Sequence, residues 1–194
     1  MTRFFLARHG ETDWNARGKL QGHTDIPLNE SGQAQARALA ARLLRENVKA
    51  VVTSDLSRAR ETGAIIASEL SLPAPHVDLE LRERCFGVFE GLTRAECAEQ
   101  HPDAWRAWLE QTSPPEGAEA VDLAVRRMTR AFERLVQRTT DTPSLVVSHG
   151  GVMRLWLLDL LGVTVPLIAN GTVYAVDHDE HGFRAVRWEP PTHA

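Results

Sequence analysis

The chain has 194 residues, 43% of them hydrophobic and 25% charged, with 22 Lys plus Arg against 26 Asp plus Glu and a net charge of −4. That composition excludes a low-complexity or disordered chain, and the lack of a basic surplus argues against a nucleic-acid partner. Length and composition together predict one domain over residues 1–194.

Only Lys19 and Lys49 are lysines. The planar guanidinium fork of the remaining cations suits carboxylate and phosphate, although an arginine-rich source gives the same bias. Cys85 and Cys97 are too few for a disulfide framework and lack metal-ligand spacing, so reduced thiols and a cytoplasmic location are expected. The apolar run near the start is too short for a signal-peptide core, and no stretch approaches the roughly 20 apolar residues of a membrane span. No membrane partner is expected.

In chain order, residues 4–7 form a short apolar run suited to a buried strand, followed by a polar, Gly-rich loop over 8–30. Ala36, Leu39, Ala40 and Leu43 recur at helical spacing behind Asn29, a predicted N-cap. Residues 50–53 are apolar and β-branched, which predicts a second buried strand. Ser54 and Asp55 offer cap oxygens to a helix through Ala59, Ile65, Ile66 and Leu70, and prolines at 73 and 75 end it. Residues 76–81 form a weaker strand candidate.

Thr93 and Glu96 make a capping-box pattern, and Pro102 opens another helix carrying Trp105, Trp108 and Leu109. Residues 112–117 are a loop. Val121, Val125, Met128, Phe132 and Leu135 step by four, three, four and three, the apolar stripe of a long helix. Residues 145–147 read as a buried strand, 152–161 as an apolar helix, and 173–176 with 183–188 as a hairpin turning at 177–182. Strands alternating with helices predict an α/β three-layer sandwich with a largely parallel central sheet, helices on both faces and a short helical insertion over 93–117.

In open α/β sheets ligands bind beyond the carboxyl ends of the strands. The polar residues following the predicted strands are Arg8, His9, Gly10 and Glu11, then Arg58, then Glu83, and finally Ser148, His149, Gly150 and Gly151. Two arginines, two histidines and a carboxylate on one edge form a set suited to phosphoryl transfer. Forked guanidinium groups match the charge spread over three phosphoryl oxygens. Helix starts at Arg58 and at Gly150 and Gly151 offer free N–H groups to an anion. A neutral imidazole can attack phosphorus near neutral pH, and a glutamic acid can serve the leaving alkoxide and then the hydrolytic water. No metal or other cofactor is required by this set. Spacing alone does not choose between His9 and His149 as nucleophile. The residues 177–181, Asp-His-Asp-Glu-His, suggest a metal run but fall at the predicted hairpin turn and read as a solvated acidic turn. His23, His76, His101 and His193 have no convergent partners in the sequence and receive no role.

The run Leu6-Ala7-Arg8-His9-Gly10-Glu11-Thr12 with Trp14-Asn15, then Gln21-Gly22, Asp25, Pro27-Leu28 and Gly32, resembles the histidine phosphatase superfamily, which includes the cofactor-dependent phosphoglycerate mutases. The likeness returns in Ser54-Asp55-Leu56-Ser57-Arg58-Ala59 with Thr62, in Leu81-Arg82-Glu83 with Gly87 and Glu90-Gly91, and in Ser148-His149-Gly150-Gly151. It implies that His9 becomes phosphorylated, that Arg8, Arg58 and His149 stabilise the phosphoryl group, and that Glu83 exchanges the proton. Asn15, Gln21, Gly22 and Gly150 would contact the substrate.

The chain has no lysine after Lys49 and only a short insertion, which favours the small-phosphatase branch, including broad-specificity and α-ribazole-phosphate phosphatases, over a mutase. Ala118-Glu119-Ala120 stands where the family often has Gly-Glu-Ser, so a hydroxyl is missing near the leaving group. Phe86, Trp105 and Trp108 either line that pocket or pack the insertion onto the sheet. The expectation is a phosphomonoesterase acting on a small phosphorylated substrate, with a homodimer compatible with the chain. A phosphoglycerate mutase is the alternative, and a non-catalytic reader of phosphorylated partners or a metal hydrolase are more distant rivals.

Overall fold

Successive residues of the first strand enter two different cores. In the computed structural model, which describes residues 1–110, 112–138 and 142–190, β1 spans Thr2–Arg8. Phe4 and Leu6 join a cluster with Met128, Phe132, Trp156 and Leu157, while Phe5 and Ala7 join Ala36, Leu39, Leu43 and Ile66 on the opposite face. A strand's period of two therefore places helices on both sides of the sheet.

The helices on one face are α2 (Glu30–Leu43) and α3 (Ser57–Glu69); those on the other are α6 (Val121–Arg138) and α7 (Gly150–Leu161). The remaining helices are α1 (Asp13–Ala16), α4 (Arg94–Gln100) and α5 (Pro102–Leu109). With β2 (Ala50–Thr53), β3 (His76–Val77), β4 (Ser144–Ser148), β5 (Val173–Asp179) and β6 (Gly182–Arg187), the sheet runs in the order β3-β2-β4-β1-β5-β6. The pairs β3–β2, β2–β4 and β4–β1 are parallel, and β5 and β6 add antiparallel. The predicted sandwich with its largely parallel sheet is the one observed.

Several local expectations need correction. Neither Ser54 nor Asp55 caps α3; its N-cap is Leu56, which makes no side-chain cap bond. Asp25, from the loop after β1, supplies the oxygens instead, accepting from Ser57 N and Ser57 Oγ at 2.7 Å each. That helix stops before the prolines are reached, with Ser71 in the left-handed region at φ 53°. The weak third strand shrinks to His76–Val77 and passes into a 3₁₀ turn at Leu79–Leu81. The hairpin strands extend to Asp179 and from Gly182, so Asp177 and Asp179 sit on β5, paired with Arg3 and Arg184, and only the tip is turn. Among the described residues no three His, Cys, Asp or Glu side chains gather as a metal site. His193 lies outside the described residues.

Two glycines fix how the loop after β1 crosses α2. A Cβ on Gly10 would fall 2.4 Å from the carbonyl oxygen of Gly32, and one on Gly32 would fall 2.1 Å from that of Glu11. Backbone meets backbone there, so neither position has space for a side chain. Among the described residues no helix is long and apolar enough to cross a membrane.

Candidate active site

Strand register brings the two histidines together. Arg8 at the end of β1 pairs with Ser148 at the end of β4, and the next residues are His9 and His149. Their rings lie 5.0 Å apart, centroid to centroid, and both are buried. On the other side of β4 runs β2, and the helix that follows it delivers Arg58, also fully buried.

Hydrogen bonds assign the protons on both rings. His9 Nδ1 lies 2.6 Å from the carbonyl oxygen of Gly10, which can only accept, so Nδ1 carries the proton and Nε2 keeps the lone pair. Arg58 Nε donates to His149 Nδ1 at 3.2 Å, so the proton of neutral His149 sits on Nε2. Burial, reinforced by the charges of Arg8 and Arg58, pushes the His9 pKa well below its ordinary value. The same causes, with His9 itself, hold His149 low. Both rings are neutral near pH 7.

Unpartnered donors surround this pair. His149 Nε2 and Arg8 Nε are buried without a hydrogen-bond partner among the described residues. Leaving a buried donor unpaired costs about 1–3 kcal/mol, more when it is charged, and a bound oxyanion would satisfy both. Arg8 Nη1 is anchored to the Ile168 carbonyl at 2.6 Å, and Arg58 to the carbonyls of Thr24 and Gly22 at 2.9 and 2.7 Å. The guanidinium planes are thus fixed in advance of any ligand.

Glu83 closes the site, but at a place the strand-end reading assigned to the ligand. Its carboxylate accepts from Gly151 N at 2.9 Å, Val152 N at 2.7 Å and Arg84 N at 2.8 Å. The N-terminus of α7 therefore receives the oxygens of an internal side chain, and Asp25 does the same for α3. The expectation that these two helix starts offer free N–H groups to an anion is corrected: Ser57 N, Gly151 N and Val152 N are already taken by Asp25 and Glu83. Gly151 leaves space for the carboxylate, because a Cβ there would fall 2.7 Å from Glu83 Oε1. A Cβ on Gly150 would fall 3.0 Å from Arg8 Nε, so Gly150 lets the guanidinium lie flat on the backbone.

The other sequence-predicted contacts have mixed positions. Asn15 Oδ1 is engaged by Thr12 N, Thr12 Oγ1 and Asn170 Nδ2, which makes it the partner of the N-cap Thr12 in the capping box of α1 and a brace for the loop. Gln21 is buried with Oε1 unpartnered, an acceptor suited to a hydroxyl or protonated oxygen of a ligand. Gly22 contributes its carbonyl to Arg58.

Phe86, Phe89, Trp105 and Trp108 form an edge-to-face aromatic cluster, with the Arg84 guanidinium 4.2 Å from the Trp108 ring. The insertion thus rests its rings on the 84–89 segment near Glu83, and not on the sheet. A cavity of about 890 Å³ beside it is lined by Arg84, Trp108, Val121 and Val125, but by none of Arg8, His9, Arg58, Glu83 or His149. Val121 is 43% exposed there, so the buried stripe of α6 begins at Ala124, not at Val121 as the spacing predicted.

Residues to which sequence reading gave no role, Glu90 of the family-like blocks among them, also hold the site. His23, given no role, donates from Nε2 to the Glu83 carbonyl at 2.8 Å, because that oxygen can only accept. Asn170 Nδ2 donates to the His9 carbonyl at 3.0 Å. Glu90 ties His23 N, Thr24 N and Phe86 N together. These bonds join distant loops, and no local pattern marks them.

The model of the histidine phosphatase superfamily (branch 1) matches residues 4–190. The chain belongs to this superfamily. It is 39% identical over 153 residues to phosphoglycerate mutase-like protein 4 of Arabidopsis thaliana, covering 77% of this chain and 66% of that protein. It is 39% identical over 158 residues to the metal-independent phosphoserine phosphatase of the same plant, covering 79% and 66%. The chain thus spans just under two thirds of the length of either relative. The structure of mycobacterial glucosyl-3-phosphoglycerate phosphatase complexed with VO3 superposes with a TM-score of 0.87 at 28% identity, covering 98% of this chain and 100% of that one.

Proposed function

We propose that this member of the histidine phosphatase superfamily is a metal-independent phosphomonoesterase that hydrolyses a small phosphorylated metabolite through phospho-His9. The observation that carries the reading is the arrangement at His9: a buried neutral ring with Nε2 left unprotonated, beside the unpartnered donors Arg8 Nε and His149 Nε2. His9 Nε2 attacks phosphorus as the ester P–O bond breaks, and Glu83 gives its proton to the departing alkoxide. Water then attacks the phosphohistidine, the P–N bond breaks back to His9 Nε2, and Glu83 takes the water's proton. His9 Nδ1 keeps its proton on the Gly10 carbonyl throughout. Arg8, Arg58 and His149 hold the equatorial oxygens in both steps. Three backbone N–H groups cradle the carboxylate that Glu83 becomes after donating.

The likeness to a phosphoserine phosphatase and a glucosyl-3-phosphoglycerate phosphatase supports the hydrolytic reading and a polar leaving group. The test is to supply 3-phosphoglycerate and a panel of alkyl and aryl phosphates in excess chelator, measuring inorganic phosphate and isomer together. Net phosphate release is expected. Isomer formation without release would make the protein a mutase, and loss of activity in chelator would make it a metal hydrolase.

Arg58→Lys is expected to lower kcat/KM by roughly 10- to 100-fold, since one ammonium cannot replace three directed N–H bonds and a fork on the anion. Steady-state kinetics with one aryl phosphate checks it, and unchanged values would place Arg58 outside the phosphate pocket.

The depressed histidines set the pH behaviour. Because His9 and His149 are neutral well below pH 6.5 in the folded chain, kcat/KM corrected for the substrate's own ionisation should stay flat down through 6.5. A limb in that profile on which kcat/KM rises with pH through 6.5 would contradict the assignment. The unfolded chain binds these protons first, so the histidines' contribution to stability is intact above 6.5 and is lost as pH falls below it.

A further inference from the structure

The segment that carries Glu83 has no ladder of its own. Between the 3₁₀ turn at Leu79–Leu81 and the one at Gly87–Phe89 the chain is irregular, yet its carbonyls are occupied by side chains from elsewhere. Arg127, in the second turn of α6, donates from Nη1 to the carbonyls of Glu80 and Arg82 at 2.7 and 2.6 Å. From Nη2 it donates to the carbonyl of Glu83 itself at 3.0 Å. Ser148 Oγ takes the Leu81 carbonyl at 2.8 Å, and His23 shares that of Glu83. The guanidinium is held in turn by Glu119, at 2.7 Å to Nε and 2.9 Å to Nη2. Only 11% of the Arg127 side chain is exposed, and Glu119 is half-buried beside it.

We propose that Arg127 is a positioning residue for proton transfer: its guanidinium, braced by Glu119, fixes the backbone of residues 80–83 so that the Glu83 carboxyl faces the leaving oxygen. Arg127 does not touch the substrate and contributes nothing to holding the phosphoryl group. One planar group spans three carbonyls because its donors point in fixed, divergent directions, which a lysine cannot reproduce. A loosened acid loses rate steeply, since proton transfer needs heavy atoms within about 3 Å of each other. The inference rests on the reading of Glu83 as the proton donor.

The test compares Arg127→Met, Arg127→Lys and Glu119→Gln with the unmodified chain on an alkyl phosphate and on p-nitrophenyl phosphate, with inhibition by vanadate measured alongside. Arg127→Met is expected to lower kcat/KM, which reports the phosphorylation step, at least about 10-fold on the alkyl ester while changing it by about twofold or less on the aryl ester, because the nitrophenolate leaves without a proton. Vanadate inhibition should be unchanged. Arg127→Lys and Glu119→Gln should show the same selective loss in weaker form, and they carry the test if Arg127→Met does not fold. Equal losses on both esters, weakened vanadate inhibition, or unchanged kinetics in all variants would overturn the proposal. Glu83→Gln, measured in parallel, separates the two levels. If Glu83→Gln fails to discriminate between the esters, the reading of Glu83 fails; if it discriminates and the Arg127 variants do not, only the role of Arg127 fails.

Discussion

His9→Ala is expected to remove turnover by about four to six orders of magnitude while leaving the protein folded and able to bind vanadate or phosphate weakly. The size follows from the chemistry: without Nε2 there is no phosphoenzyme, and what remains is water attacking an ester held by Arg8, Arg58 and His149. Binding survives because His9 gives its only ring proton to the Gly10 carbonyl and offers the ground-state anion no donor. The unpartnered donors, Arg8 Nε and His149 Nε2, are untouched by the change. Single-turnover kinetics with an aryl phosphate, together with vanadate-induced shifts in thermal midpoint, check both halves. Retained turnover in His9→Ala would refute the nucleophile, and the same collapse in His149→Ala with full activity in His9→Ala would transfer the role.

Glu83→Gln is expected to slow hydrolysis of alkyl phosphates by about 10²- to 10⁴-fold and of aryl phosphates far less in the phosphorylation step. The amide can no longer donate a proton to an alkoxide, whereas a nitrophenolate departs without one. It also presents an NH₂ where the carboxylate accepted Gly151 N, Val152 N and Arg84 N, so one of those contacts turns repulsive. Burst kinetics with the aryl ester should reveal accumulation of the phosphoenzyme, because the same residue is needed to draw the proton from water. A uniform loss across leaving groups, with no burst, would point to another acid.

Much of this was legible in the sequence, for physical reasons that differ from element to element. The central strands declared themselves because 4–7, 51–53 and 145–147 are buried on both faces, and parallel strands covered by helices read as continuous apolar runs. The helix at Thr93 did so because its capping box is local, three residues apart. Since β4 lies between β1 and β2, the polar residues just past the three strand ends had to converge, which is why Arg8, His9, Arg58 and His149 could be grouped before any coordinates.

What stayed hidden is long-range and polar. Asp25 caps a helix that begins 32 residues later, so the local candidates Ser54 and Asp55 drew attention instead. Glu83 crosses to the start of α7 and takes the N–H groups that a phosphate was expected to claim. Arg127 sits inside a helix among many arginines, where spacing carries no mark of the three carbonyls it holds. Val121 follows the helical stripe faithfully, yet it lines an open cavity and stays 43% exposed while Ala124 one turn on is buried. Periodicity reports which way a residue faces and is silent on whether another element covers that face.

The most direct measurement is to quench the enzyme during turnover into base, where an N-linked phosphoryl group survives, and to map it by peptide mass spectrometry. A single phosphoryl group on the peptide carrying His9, absent from His9→Ala and accumulating in Glu83→Gln, is the predicted result. A label on His149 or on any other side chain, or inversion at a chiral phosphorus with no label at all, would contradict the account.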